Sequence, residues 1–181
     1  MTAKKIFKII GILITVFIAL ILLFFGFIWG SIAWNRYSKK KEAIRYQKAV
    51  CDTIKTVQGN FEIMVNGFTN KELKKINFYL QRDKRIVKDT TINFVGKDDR
   101  ETQTLIMPFK EFNINDRIIL VIKNRTYLLS GFSYMAVYNY GMFGPVGPCH
   151  CATSGYQNVN GKPGGSGLLL KNEGLVNYKL P

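Results

Sequence analysis

From residue 9 to residue 35 the chain carries no charged side chain, and Ile, Leu, Phe and Val dominate this run between Lys8 and Arg36. As a helix, these 27 residues reach about 40 Å, enough to cross a hydrocarbon core of about 30 Å with some tilt. Trp29 and Trp34 stand at its C-terminal end, where an indole gains by keeping its apolar edge in lipid and its N–H in water. Lys4, Lys5 and Lys8 resemble the basic start of a signal peptide, and Ser31, Ile32 and Ala33 resemble a cleavage site. The apolar run nevertheless exceeds the roughly 7 to 15 residues of a cleavable signal. The pattern predicts a basic tail over 1–8 and an uncleaved transmembrane signal anchor over 9–35.

Beyond the span, Ile44, Ala49 or Val50, Ile54 and Val57 are spaced loosely like one helix face, which predicts a helical juxtamembrane stalk over 36–58. From Gly59 the period becomes two. Phe61, Ile63 and Val65 alternate with Glu62, Met64 and Asn66, and Ile76, Phe78 and Leu80 alternate with Asn77, Tyr79 and Gln81. Turns are expected at Asn66-Gly67 and at Arg82-Asp83-Lys84. Between the two runs, Thr69, Asn70, Lys71 and Glu72 fit a capping box that opens a short helical turn. Further strands are predicted over 85–95, 102–109, 117–123, 126–130, 132–140 and 174–180. The expected fold is mainly β: a transmembrane helix and stalk followed, over 59–181, by a small antiparallel β-sandwich of immunoglobulin-like or transthyretin-like type.

The chain has 181 residues, with 26 Lys+Arg against 12 Asp+Glu and a net charge of +14. Once the span is removed, about one ordinary domain remains, too little for a two-domain enzyme. Residues 36–58 hold seven Lys/Arg and two Asp/Glu. Arg36, Lys39, Lys40 and Lys41 are therefore expected at the membrane interface, either resting on anionic head groups, where each contributes about 1 kcal/mol, or in a solvated linker that only marks the membrane boundary. Counting positive charges on both flanks places the domain in the cytoplasm. The short tail and the strand-rich domain, with its abundant Tyr and Asn, point the other way. The expectation is a single-pass protein with an extracytoplasmic domain, periplasmic if the cell is Gram-negative.

No Asp, Glu, Lys or Arg occurs in the 36 residues from 126 to 161. On a strand, Phe132, Tyr134, Ala136, Tyr138 and Tyr140 share one side. They form either a central strand packed on an opposing sheet or an exposed docking face. The candidate partner-binding residues are Phe132, Tyr134, Tyr138, Tyr140, Met142 and Phe143, since aromatic patches are favoured at interfaces. The Gly/Pro-rich segment 141–167 is expected to be a long loop, with Gly164, Gly165, Ser166 and Gly167 forming a flexible turn into the final strand.

Catalytic material is sparse. The acidic cluster is limited to Asp98, Asp99 and Glu101 around Arg100. Residues 155–162 only superficially suggest a phosphate loop: the glycine spacing is one too long, and Pro163 stands where a Ser/Thr should bind magnesium. Nucleotide binding is excluded on that ground. His150 lies between Cys149 and Cys151, and adjacent residues on an extended chain face opposite ways, which disfavours a Cys-His dyad. Cys149 and Cys151, with Cys51 as a third ligand, suit Cu(I) or Zn(II), but no second ligand pair accompanies them. A bridge from Cys51 closes roughly 100 residues and is worth about 4.7 kcal/mol by loop entropy, against about 1.6 kcal/mol for Cys149 with Cys151. The long bridge is preferred if the segment carrying Pro148 folds back to Cys51. Beyond residue 58 the lysines are dispersed, and no aromatic RNA-binding strand motif occurs, so nucleic acid is not an expected partner.

The layout of basic tail, signal anchor, stalk and small β domain resembles single-pass accessory subunits of bacterial envelope machines. The missing catalytic constellation and the charge-free stretch lead to the expectation of a non-enzymatic structural or interaction subunit that needs no cofactor, with the lipid bilayer as one partner and, docked through the uncharged aromatic and Gly/Pro-rich surface, a protein of an envelope complex as the other. The alternative is a membrane-tethered thiol-redox or metal-binding protein using Cys149 and Cys151.

Overall fold

The computed structural model describes residues 3–94, 101–164 and 167–180, with side chains from residue 10 onward. The acidic run 98–100 and the Gly165-Ser166 pair lie outside the described residues. Helix α1 runs over Ala3–Ala49, and the side chains of its apolar stretch are exposed, from Leu22 and Leu23 to Phe27. It is long and apolar enough to cross a membrane. The stalk expectation for 36–58 is corrected at its C-terminal half. The helix stops at Ala49, a 3-10 turn follows at Cys51–Thr53, and strand β1 takes Thr56–Gln58. Val57 is core, not a stalk face.

The chain divides into two compact units, residues 1–46 with 136–150, and residues 47–135 with 151–181. The second is a β domain. Its elements in order are β1, β2 (Glu62–Asn66), α2 (Asn70–Leu73), β3 (Ile76–Arg82), β4 (Arg85–Ile92), β5 (Thr102–Ile106), β6 (Glu111–Asn113), β7 (Arg117–Ile122) and β8 (Arg125–Ser130). Strands β9 (Tyr134–Gly141) and β10 (Gly144–Thr153) then form a hairpin, each crossing the division between the units. After them come β11 (Asn158–Val159), β12 (Lys162–Pro163), β13 (Leu168–Leu170) and β14 (Leu175–Val176).

The larger sheet has the order β12-β11-β8-β7-β3-β4, and β14 shares the same edge of β8 as β11. The smaller has the order β13-β2-β5, and β1 pairs with β6. Pairing is antiparallel except between β13 and β2, which run parallel. This exception corrects the expectation of a purely antiparallel domain. It arises because β13 arrives by a long connection instead of a hairpin, so its direction is not forced.

Period-two alternation puts Ile76, Phe78 and Leu80 of β3 and Ile118, Leu120 and Ile122 of β7 on one inward face. They share a core with Ile63 and Val65 of β2, Leu105 of β5 and Leu169 of β13. Each fully buried side chain of this size contributes about 1.5–3 kcal/mol, and together they join the two sheets through one core. The β3–β4 turn places Asp83 at φ 46° and Lys84 at φ 66°, both left-handed, as the twist of a two-residue hairpin demands. α2 has the full capping box, with Thr69 and Glu72 each accepting from the other's backbone N–H. Arg82 donates twice to the buried Asp116, at 2.8 Å each, and the Asn113 N–H donates to the same carboxylate. Burial alone would raise the Asp116 carboxyl; the guanidinium and the N–H overcome it and hold the group below its usual range.

Segment 141–167 is not a long loop. Most of it is strand: β10 takes ten residues, and β11 with β12 makes a second small hairpin. Pro145 and Pro148 suggest an irregular segment, but β10 pairs only with β9 among the described strands, and a strand with one free edge tolerates proline where a central strand does not. The last predicted strand, 174–180, is reduced to Leu175–Val176.

Candidate functional site

The first unit places the β9–β10 hairpin against the C-terminal end of the apolar stretch of α1. A loop of two residues, Met142 and Phe143, joins the strands. Gly144 follows at φ 132°, a conformation that other residues seldom adopt. A Cβ at that position would lie 3.4 Å from Cγ of Arg36, so glycine also permits the close approach to the helix. Asn35 Nδ2 donates to the Pro145 carbonyl at 3.4 Å, and Lys39 Nζ donates to the Gly147 carbonyl at 3.4 Å. The ring of Tyr138 lies 4.8 Å from Lys39 Nζ. From these pairs, β10 climbs alongside the helix from Asn35 to Lys39, and the hairpin tip lies at the Asn35 end.

Lys39 also pairs with Glu42 at 3.0 Å. The Lys39 ammonium, with the nearby Tyr138 hydroxyl, holds the Glu42 carboxyl below its ordinary value. Burial raises the Tyr138 hydroxyl strongly, and the Glu42 carboxylate and Cys149 add to the shift. That hydroxyl is close to Glu42 but meets no partner in hydrogen-bond geometry. Lys41 stacks its ammonium 4.6 Å from the Tyr37 ring. Arg36 and Lys40 have no carboxylate partner among the described residues. They face a groove of about 480 Å³ whose other wall includes Val137, Tyr138, Tyr140 and Pro145. A larger hollow in the β domain, about 730 Å³, is bordered by Asn60, Glu62, Ser154 and Gln157, with no basic side chain in its described lining.

The six candidate partner-binding residues therefore separate. Phe132 is 4% exposed and packs edge-on to Phe61 and Phe112 in the core, which removes it from any surface. Tyr134 packs partly buried on the same core, and its hydroxyl donates to the Thr56 carbonyl. Tyr138 is buried in the first unit. Tyr140, Met142 and Phe143 are exposed, Met142 by 92%. The side-by-side ladder expected for the aromatic strand thus ends as two core residues, one buried residue and a bare tip. Trp29 and Trp34 are both exposed on α1. Reading by residue type missed Asn35, Val137 and Pro145, although two residues between Gly141 and Gly144 are a hairpin signal.

Cys51 and Cys151 form a disulfide with Cα atoms 5.6 Å apart, and Cys149 is a buried free thiol. His150 is exposed, on the opposite side of β10 from Cys149. A site using both Cys149 and Cys151 as thiolates would require that bridge to be reduced. Among the described residues no group of three or more His, Cys, Asp or Glu side chains converges. No protein-family model, curated protein or solved structure matches this chain.

Proposed function

We propose that this chain is a single-pass membrane protein of the bacterial cell envelope, with residues 36–181 outside the cytoplasm, and that it acts without catalysis as a structural or interaction subunit of an envelope complex. The observation that carries the reading is the Cys51–Cys151 disulfide, close in sequence to the end of an apolar helix long enough to cross a bilayer. Such bridges persist in oxidising compartments and are rare in the cytosol. Two sheets lining one core support a sandwich of immunoglobulin-like or transthyretin-like type, with the parallel β13 as its departure.

Orientation is tested by Lys110→Cys, an exposed position in the β domain. The introduced thiol should react with an impermeant maleimide in intact spheroplasts. Reaction only after lysis puts the domain in the cytoplasm and overturns the localisation. The subunit role is tested by extracting the tagged full chain in mild detergent: a protein should co-purify in fixed proportion, and recovery of a lone monomer sinks this role.

A further inference from the structure

We propose that the β9–β10 hairpin tip and the groove beside α1 form a site for anionic phospholipid. Tyr140, Met142 and Phe143 enter the membrane interface, and Arg36 and Lys40 meet the lipid phosphate. The inference rests on the reading of α1 as a membrane span.

Three observations carry it. The first is position. The tip lies beside Asn35 and Arg36, where the uncharged run ends. Arg36 and Lys40 are four residues apart, or about 6 Å along the helix, and the head-group layer on each side of a bilayer is about 5–8 Å thick. Both therefore fall within that layer when the apolar run fills the hydrocarbon.

The second observation is charge. Lys39 is matched by Glu42, and Lys41 lies over Tyr37, but Arg36 and Lys40 face the groove without an anion among the described residues. A phosphate supplies the missing charge, and Arg binds it through two parallel N–H donors.

The third is the character of the tip. Met142 is 92% exposed, Tyr140 78% and Phe143 63%, with no charged residue in the loop. Three large apolar side chains in water would gain nothing, whereas at this level they join Trp34 in an aromatic belt. A soluble partner is disfavoured by the same geometry, because it would have to reach the tip within the head-group layer.

The test uses the full chain in nanodiscs of phosphatidylcholine alone or with a third phosphatidylglycerol. An environment-sensitive fluorophore is attached through Met142→Cys and, in a second sample, through Leu22→Cys. The Leu22 label should report hydrocarbon in both lipids. The Met142 label should shift to the blue and resist iodide quenching, more so with phosphatidylglycerol. Arg36→Gln with Lys40→Gln should remove that lipid dependence, since each basic residue near an anionic surface is worth about fivefold in association. A Met142 label that stays in water while the Leu22 label is embedded overturns the proposal alone and leaves the tip to a protein partner. A Leu22 label in water overturns the span itself. Shielding of the Met142 label that is identical in both lipids and unchanged by the double substitution refutes the phosphate site.

Discussion

Phe132 shows how little of a side chain's role its type reveals. Its ring sits 4.8 Å from that of Phe112 and 6.3 Å from that of Phe61, so Phe132→Ala should lose about 3–5 kcal/mol of stability. Tyr140→Ala, at the exposed end of β9, which begins two residues after Phe132, should leave unfolding nearly unchanged. Denaturant titration of the full chain in detergent, followed by near-ultraviolet circular dichroism, distinguishes the two. Glu72 is informative for a different reason. Lys171 donates to its carboxylate at 2.8 Å and the Thr69 N–H at 3.1 Å, and together they lower its pKa from 4.5 to about 2. A depressed carboxyl stabilises the fold above its unfolded pKa, and this contribution is lost as pH falls from about 4.5 to about 2. Carboxyl NMR should show the low midpoint, and Lys171→Met should move it back toward the ordinary value.

At the scale of elements, the β3–β4 turn gives a direct test of backbone strain. Lys84 at φ 66° pays for a left-handed conformation that glycine adopts freely, so Lys84→Gly should raise stability by up to about 1 kcal/mol. An unchanged or lowered unfolding midpoint would contradict this. The same hairpin was legible in the sequence, because β3 alternates and the turn residues are polar. So were β2, β7 and the capping box of α2, where local pattern and tertiary burial agree. Strands β10 to β13 were not legible. The prolines and glycines in and around them argue locally for a loop; β10 and β12 are strands through adjacent hairpins, and β11 and β13 also pair with the distant β8 and β2. The split of the aromatic run was also hidden, since a period-two pattern shows which residues share a side but not where along a strand the burying partner ends.

For the whole molecule, the disulfide is the largest single constraint visible. Cys51 and Cys151 are 100 residues apart, and closing a loop of that length is worth about 4.7 kcal/mol by chain entropy. Replacing both with Ser should lower stability by up to that amount, measured by chemical unfolding with and without reductant. An equal midpoint in the two conditions would show that the bridge does not form in the isolated protein. The candidate site at this scale was half legible. The end of the span, the tryptophans and the basic cluster follow from the linear order of residues, but the hairpin that returns to Asn35 from 110 residues away does not.

The bridge also makes the chain a closed ring between residues 51 and 151, with α1 attached on one side and the last thirty residues on the other. A protease that cuts once anywhere inside that ring severs the backbone without freeing either piece from the helix. Such a nicked protein should migrate as two fragments only after reduction and should stay in the membrane fraction until then. Release of the intact β domain by a single cut is possible only before Cys51, in the 36–50 segment that closes α1 and leads into the 3-10 turn, which makes that short basic stretch the one place where shedding can be controlled.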